Sequence, residues 1–104
     1  MINEVAVMDP LGKLIYLPPD LFTKQNSAAN IFNEILTVIT KPAILIEVTE
    51  NGQVQFYFFR SIGWNKTFLI IIRQINDRWQ VHQCIRNPAG ETLAAVLKKG
   101  KQIL

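Results

Sequence analysis

Apolar residues follow two different periods along the chain. Between Ala28 and Ile39 they recur at intervals of three and four, which predicts an amphipathic helix that Pro42 stops. Beyond Pro42 they form short runs separated by turn-forming residues, which is typical of strands. These runs predict four strands, at residues 43–49, 54–61, 66–75 and 79–86.

Short loops between these runs fix which residues of neighbouring strands face each other. Three two-residue loops are predicted, at Asn51-Gly52, Gly63-Trp64 and Asp77-Arg78. The resulting register pairs Thr49 with Val54, Ile62 with Asn65, and Asn76 with Trp79. A three-residue loop over 76–78 is the alternative, and it is disfavoured because it would move His82 and Arg86 to the core face.

The two ends of the chain add smaller elements. Asp9-Pro10-Leu11-Gly12 has Pro and Gly where a type I turn prefers them, so residues 5–8 and 13–17 are predicted to form a hairpin. A last helix is predicted over 91–99, with Gly100 as its cap. The predicted fold is therefore a single α+β domain over 1–104. An N-terminal hairpin and a helix precede a four-stranded antiparallel meander, the helix packs on one face, and a short C-terminal helix follows.

Alternation along the strands assigns each side chain to one face of the predicted meander. The core face, expected to contact the helix with Phe32 and Leu36, collects Ile44, Ile46, Val48, Tyr57, Phe59, Phe68, Ile70, Ile72, Trp79, Val81 and Ile85. The opposite face mixes Leu45, Phe56, Phe58, Leu69 and Ile71 with the cations Arg60, Arg73 and Arg86. Either a polar or anionic partner rests on this half-apolar face, or its apolar part is covered while the arginines reach water. The cover would be a second subunit or the C-terminal helix, through Leu93, Val96 and Leu97.

Composition narrows the class of protein. Hydrophobic residues make up 49% of the chain and charged residues 18%, which is typical of a globular protein. The single cysteine, Cys84, cannot form an internal disulfide, and no apolar run reaches the length of a membrane span. A cytoplasmic location without membrane contact is expected. The net charge of +3 favours anionic partners.

Two groups on the mixed face are candidates for chemistry. In the predicted register His82 lies opposite Arg73, whose charge would lower the histidine pKa and favour a neutral general base. Arg60, Thr67 and Arg86 form the second group, where two guanidinium groups and a hydroxyl can bind a phosphate or RNA backbone. The competing interpretation is a structural histidine and solvated arginines.

The remaining reactive residue types predict little chemistry. Cys84 has no second histidine to activate it and is expected to be an inert, buried thiol. One histidine and one cysteine are too few ligands for a metal, so neither a metal nor another cofactor is expected. Trp64 either packs against the sheet edge or stacks on a base.

The order of elements and the hydrophobic pattern resemble the phage and toxin-associated barnase/EndoU/colicin/RelE-like superfamily of small ribonucleases. The resemblance rests on the Asp9-Pro10-Leu11-Gly12 hairpin, the amphipathic helix, and the strand sequences Phe56-Tyr57-Phe58-Phe59-Arg60, Phe68-Leu69-Ile70-Ile71-Ile72 and Trp79-Gln80-Val81. It implies metal-independent RNA cleavage by residues on an open sheet face, with Arg60, Arg73 and His82 in matching places. Many relatives carry a histidine in the helix region, whereas residues 20–40 contain none.

Two hypotheses about function follow. The first is a small toxin-like domain that cleaves RNA or, as a degenerate member, only binds it. The second is a non-enzymatic protein-interaction module that forms a homodimer or binds a partner through its half-apolar face. The expected partners are accordingly RNA, a cognate inhibitor or a second copy of the chain.

Overall fold

Seven strands and two helices make up the described part of the chain. The computed structural model describes residues 5–17, 28–63 and 67–103. The strands are β1 Val5–Met8, β2 Leu14–Leu17, β3 Ile44–Glu50, β4 Gln53–Ser61, β5 Thr67–Ile75, β6 Arg78–Arg86 and β7 Lys101–Gln102. The helices are α1, Ala28–Thr40, and α2, Gly90–Lys99.

All seven strands belong to one mixed sheet. Their order is β1-β2-β6-β5-β4-β3-β7, and each neighbouring pair is antiparallel except β2 and β6. In that parallel pair Ile15 lies beside Trp79 and Tyr16 beside Gln80. The N-terminal hairpin is therefore an extension of the main sheet.

Residues with positive φ close the tight turns. Asn51 and Gly52 have φ values of 52° and 77°, which suits the type I′ hairpin that their sequence predicts. Thr49 faces Val54 across it, so the predicted register of β3 and β4 is confirmed. Asn76 and Asp77, at 52° and 65°, form a second turn of this kind between β5 and β6.

Helix α1 covers one face of the sheet, here called the α1 face. Its buried residues Ile35, Val38 and Ile39 pack with residues of the sheet that are at most 6% exposed: Ile15, Leu17, Leu45, Phe56, Phe58, Phe68, Ile70, Ile72 and Val81. The spacing of the three helix residues follows the apolar stripe of an amphipathic helix. This cluster is the larger of the two cores.

Helix α2 lies on the other face, here called the α2 face. Val96 of α2 packs with buried side chains from three strands: Ile46, Val48, Tyr57, Phe59, Leu69 and Ile71. Directly after the helix, Gly100 lies so close to β3 that an added Cβ would be 2.9 Å from the Glu47 carbonyl oxygen. The close approach brings Lys101 into pairing with Glu47.

The predicted architecture, a four-stranded antiparallel meander with a helix on one face, is wrong. The sheet has seven strands and is mixed, and helices lie on both faces. The hairpin joins through a parallel pair between segments far apart in sequence, which no local turn signal reports. The C-terminal helix covers the face opposite α1 with Val96 and Leu93, which was one of the predicted alternatives for that face.

The predicted core face is also wrong, because the register slips by one residue between β4 and β5. Ser61 pairs with Thr67, so the two strands are separated by five residues and not by a two-residue turn. A one-residue slip sends every side chain of β5 to the other face. Ile70 accordingly packs with Phe58, whereas Ile44, Ile46, Phe59 and Ile85 belong to the α2 face. Trp64 and the side chain of Phe32 lie outside the described residues.

Candidate nucleic-acid interface

Two of the five predicted site residues lie on the α1 face and contact α1 or the segment that follows it. Arg60 Nη1 donates a hydrogen bond to the Lys41 carbonyl oxygen at 2.8 Å. Arg86 Nη2 lies 3.9 Å from Glu34 Oε1, and its guanidinium is 5.6 Å from the centre of the Phe68 ring. Both arginines therefore have partners within the domain, and the prediction that they share a face with Arg73 is wrong.

Thr67 begins β5 on the other face and serves the local structure. Its hydroxyl lies 2.9 Å from that of Ser61. Its N–H donates to Asn87 Oδ1 at 2.9 Å, and its carbonyl accepts from the Asn87 N–H. Six residues of strand put Thr67 roughly 20 Å from Arg73. The three residues predicted to bind a phosphate together therefore do not form one site, because Thr67 lies on the opposite face of the sheet from Arg60 and Arg86.

His82 and Arg73 are the two predicted residues that the structure brings together. Ile71 pairs with Gln83 and Ile72 with Val81, so His82 is the extra residue of a β-bulge. Its imidazole is exposed, yet partial burial and then the charge of Arg73 lower its pKa from the ordinary 6.5. The neutral imidazole is therefore the dominant form at pH 7, as a general base requires.

A groove lies on the same face of the sheet as Arg73, between α2 and the sheet. Its volume is about 400 Å³, and Tyr57, Leu69, Ile71 and Ile85 form its floor. Thr92, Ala95 and Lys99 of α2 form the wall. Ile71 links the groove to the His82–Arg73 pair, because it forms part of the groove floor and faces the bulge that carries His82. The groove can accept a flat or apolar group next to Arg73.

The exposed half of the α2 face is positively charged. Alternation from Ile71 places Arg73 and Arg78 there, and the Arg78 guanidinium stacks 3.7 Å from the centre of the Tyr16 ring. Across β2, β4, β5 and β6, the described residues of this face include no Asp or Glu. The Nε of Arg73 is buried and has no hydrogen-bond partner among the residues that the structure describes. An anionic ligand would complement this surface.

Sequence reasoning missed Tyr16, Arg78 and the groove. The sequence predicts Arg78 in a loop, whereas Asn76 and Asp77 form the turn and Arg78 pairs with Ile75. The sequence does contain a signal for a turn at Asn76-Asp77, because Asn and Asp tolerate the positive φ that a type I′ turn needs at both central positions. Tyr16 has no comparable signal, since its place depends on the parallel pair.

Cys84 does not contribute a nucleophile. Burial raises the pKa of its thiol to about 11, although Arg86 opposes the shift. At neutral pH the thiol is protonated, and the thiolate is the nucleophilic form.

Within residues 5–17, 28–63 and 67–103, no group of three or more His, Cys, Asp or Glu side chains is placed to hold a metal ion. Neither described helix is long and apolar enough to cross a membrane.

Comparison of the chain with known protein-family models, curated proteins and solved structures finds no match. The resemblance to the small ribonuclease superfamily therefore stays a prediction that no comparison tests.

Proposed function

We propose that this chain is a small RNA-binding domain that holds single-stranded RNA on its α2 face and cleaves it without a metal. The observation that carries the proposal is the pairing of a basic surface over β4, β5 and β6 with a mostly apolar groove. Two carboxylates also lie on this face: Glu50, which is paired with Lys99, and Glu91, which lines the groove. Phosphates need cations, and unstacked bases need flat or apolar surfaces. The α2 face offers both within a few residues of His82.

Phosphate binding is assigned to Arg73 and Arg78. A guanidinium group presents several donors in a plane and can bind two phosphate oxygens at once. The stacking of Arg78 on Tyr16 supports this role, because it holds the Arg78 guanidinium in place before a ligand arrives. The buried Nε of Arg73 has no hydrogen-bond partner among the described residues, so a ligand would not have to displace one.

Base binding is assigned to the groove beside α2. Its floor of Tyr57, Leu69, Ile71 and Ile85 is apolar, and about 400 Å³ is enough for one base. Lys99 stands at the wall, 5.8 Å from the centre of the Tyr57 ring and paired to Glu50 at 2.6 Å. The proposed ligand thus places a base in the groove and its phosphate toward Arg73.

Cleavage is assigned to His82 acting as a general base. The neutral imidazole removes the proton of a ribose 2′-hydroxyl, and that oxygen forms a bond to the adjacent phosphorus. The bond from phosphorus to the 5′-oxygen breaks, and the leaving oxygen takes a proton from water. Arg73 stabilises the negative charge that develops on the phosphoryl oxygens.

Binding is tested with a matched pair of double variants and fluorescent single-stranded RNA of mixed sequence. Arg73→Gln/Arg78→Gln should weaken binding and flatten its salt dependence, by roughly 0.7 in the log–log slope for each phosphate that is no longer neutralised. Arg60→Gln/Arg86→Gln removes the same charge from the α1 face and should retain the wild-type slope. Equal weakening in both variants would mean that net charge alone drives binding.

Cleavage is tested by incubating the protein with RNA in the presence of a chelator. Wild-type protein should produce fragments ending in a cyclic phosphate, and His82→Ala should produce none while still binding RNA. If the wild-type protein binds RNA but does not cleave it, the cleavage part of the proposal is wrong and the function is RNA binding alone. The chain would then be a degenerate member of the superfamily that it resembles.

A protein-interaction module is the second candidate, favoured by apolar side chains at the N-terminal hairpin. Met8 and Leu14 are 54% and 43% exposed, and their pairing places them on one face of the sheet. A second copy or a cognate inhibitor would cover them. Molecular mass in solution distinguishes the candidates: a stable dimer that fails to bind RNA would favour the module.

A further inference from the structure

A second pocket lies on the opposite, α1 face, near the two type I′ turns. Its volume is about 440 Å³, and its lining includes Glu47, Gln53, Phe56, Gln74 and Trp79. The amide of Gln53 donates to the Gln74 carbonyl at 3.3 Å, which links the two hairpins across the pocket. None of the residues assigned to RNA binding lines this pocket.

An aromatic corner forms one side of this pocket and already holds a cation. The rings of Phe56 and Trp79 meet edge to face, with centres 5.3 Å apart and planes at 70°. The Lys13 ammonium lies 4.0 Å from the centre of the Phe56 ring and 5.8 Å from that of Trp79. The electron-rich faces of the two rings therefore stabilise a positively charged group at this corner.

One carboxylate beside the corner forms no ion pair among the described residues. Lys13 Nζ is paired with Asp9 Oδ2 at 2.6 Å, and Asp9 Oδ1 accepts the N–H groups of Leu11 and Lys13. Glu47 stands directly opposite Phe56 in the β3–β4 pair, so its side chain is on the same face. It is half-buried and forms no ion pair with any other described residue. Lys101 stands beside Glu47 in the β3–β7 pair without forming an ion pair with it, so Glu47 is the charged residue of the pocket lining that a cationic ligand would meet.

We propose that this pocket binds a guanidinium group, presented as an arginine side chain by a partner protein. A guanidinium is planar, forms paired hydrogen bonds with a carboxylate and stacks on aromatic rings. Glu47 supplies the carboxylate, and the half-buried Trp79 supplies the ring. The pocket volume exceeds a guanidinium group alone, which leaves room for the methylene stem and the adjoining peptide backbone.

The test measures binding of N-acetyl-arginine methylamide by tryptophan fluorescence. The chain contains two tryptophans, so a Trp64→Phe background leaves Trp79 as the reporter. In that background, Glu47→Gln should weaken binding roughly tenfold or more, since a hydrogen-bonded charge is removed. Glu91→Gln, which removes a carboxylate at the groove on the α2 face, should leave the affinity unchanged.

Two ligand controls keep the test informative if Glu47→Gln is unstable. The citrulline analogue has the same shape without the charge and should bind wild-type protein at least tenfold more weakly than the arginine ligand. Free arginine should bind no better than the blocked form, because the proposed ligand is part of a polypeptide. Equal binding of citrulline, or no binding of the blocked arginine, would overturn the proposal. A preference for free arginine would overturn the assignment to a partner protein.

Discussion

The two faces of this sheet are built from the same strands but are covered to different extents. On the α1 face, α1 and the N-terminal hairpin bury side chains from both halves of the sheet. On the α2 face, a shorter helix packs chiefly over β3, and a groove remains open above β4, β5 and β6. Stability is thus concentrated on one face, while the other keeps exposed cations and an accessible apolar floor.

The largest expected difference between the faces comes from two adjacent residues of β5. Ile70 is fully buried on the α1 face and Ile71 is 7% exposed beside the groove. Ile70→Ala should lower the free energy of unfolding by roughly 3–5 kcal/mol, because a closed core cannot fill the cavity. Ile71→Ala should cost about 2 kcal/mol or less, since its surroundings are already open. Urea denaturation of both variants measures the difference, and equal destabilisation would contradict the comparison.

A smaller loss of stability is expected from a substitution at the point where α2 ends and β7 begins. A Cβ at Gly100 would lie 2.5 Å from Ile46 Cγ2 and 2.7 Å from Val48 Cγ2, in addition to its contact with the Glu47 carbonyl. Gly100→Ala should therefore cost roughly 1–3 kcal/mol, as overpacking does, and loosen α2. Gly90→Ala is the matched control at the other end of the helix, where a Cβ meets nothing within 4 Å.

Hydrogen exchange locates the destabilisation caused by Gly100→Ala. Amides of β3 and β7 should exchange faster, while those of β5 keep their protection. Uniformly faster exchange would mean that the two faces are not independent, and a stable Gly100→Ala protein with wild-type exchange would mean that α2 tolerates displacement.

The smallest effect concerns the titration of His82. Burial and Arg73 both lower its pKa, so Arg73→Gln should raise the pKa part of the way toward 6.5. Arg60→Gln removes an equivalent charge from the other face and should leave the titration unchanged. NMR can follow the imidazole directly, because the chain has one histidine. Equal shifts in both variants would show that the sheet does not separate the two arginines electrostatically.

The same lowered pKa fixes the sign of a pH effect on stability. The folded state disfavours the charged imidazole, so the unfolded chain binds the proton more tightly. The stabilising contribution of neutral His82 is present above pH 6.5 and is lost as the pH falls through the lower pKa of the folded state. Arg73→Gln should reduce this dependence.

Local chemistry predicted the features that short sequence segments control. Asn51-Gly52 predicted its hairpin and the pairing of Thr49 with Val54, since two residues with positive φ define both. The predicted closeness of His82 to Arg73 and the direction of the histidine pKa shift are also confirmed. The direct pairing of these two residues is wrong, because Arg73 pairs with Gln80.

Features that depend on contacts between distant segments could not be predicted from short sequence segments. The connection between Ser61 and Thr67 is five residues long, and this length places the side chains of β5 on the opposite faces from those predicted. No turn motif at Gly63 indicates a connection of that length. The bulge at His82 shifts the register again within β6. The slip separates Arg73 from Arg60, and the bulge places Arg86 on the face of Arg60, so the division of these arginines could not be predicted from local signals.

The pairing of β2 with β6 has a consequence for the order in which the chain folds during synthesis. Ile15 leaves the ribosome long before its neighbour Trp79, and Glu47 long before Lys101. The early hairpin and β3 must therefore wait with unpaired edges until the last third of the chain appears. Contacts between such distant segments slow folding, because a long loop must close before they form. A nascent chain halted before β6 should expose these edges and bind chaperones that recognise extended apolar segments.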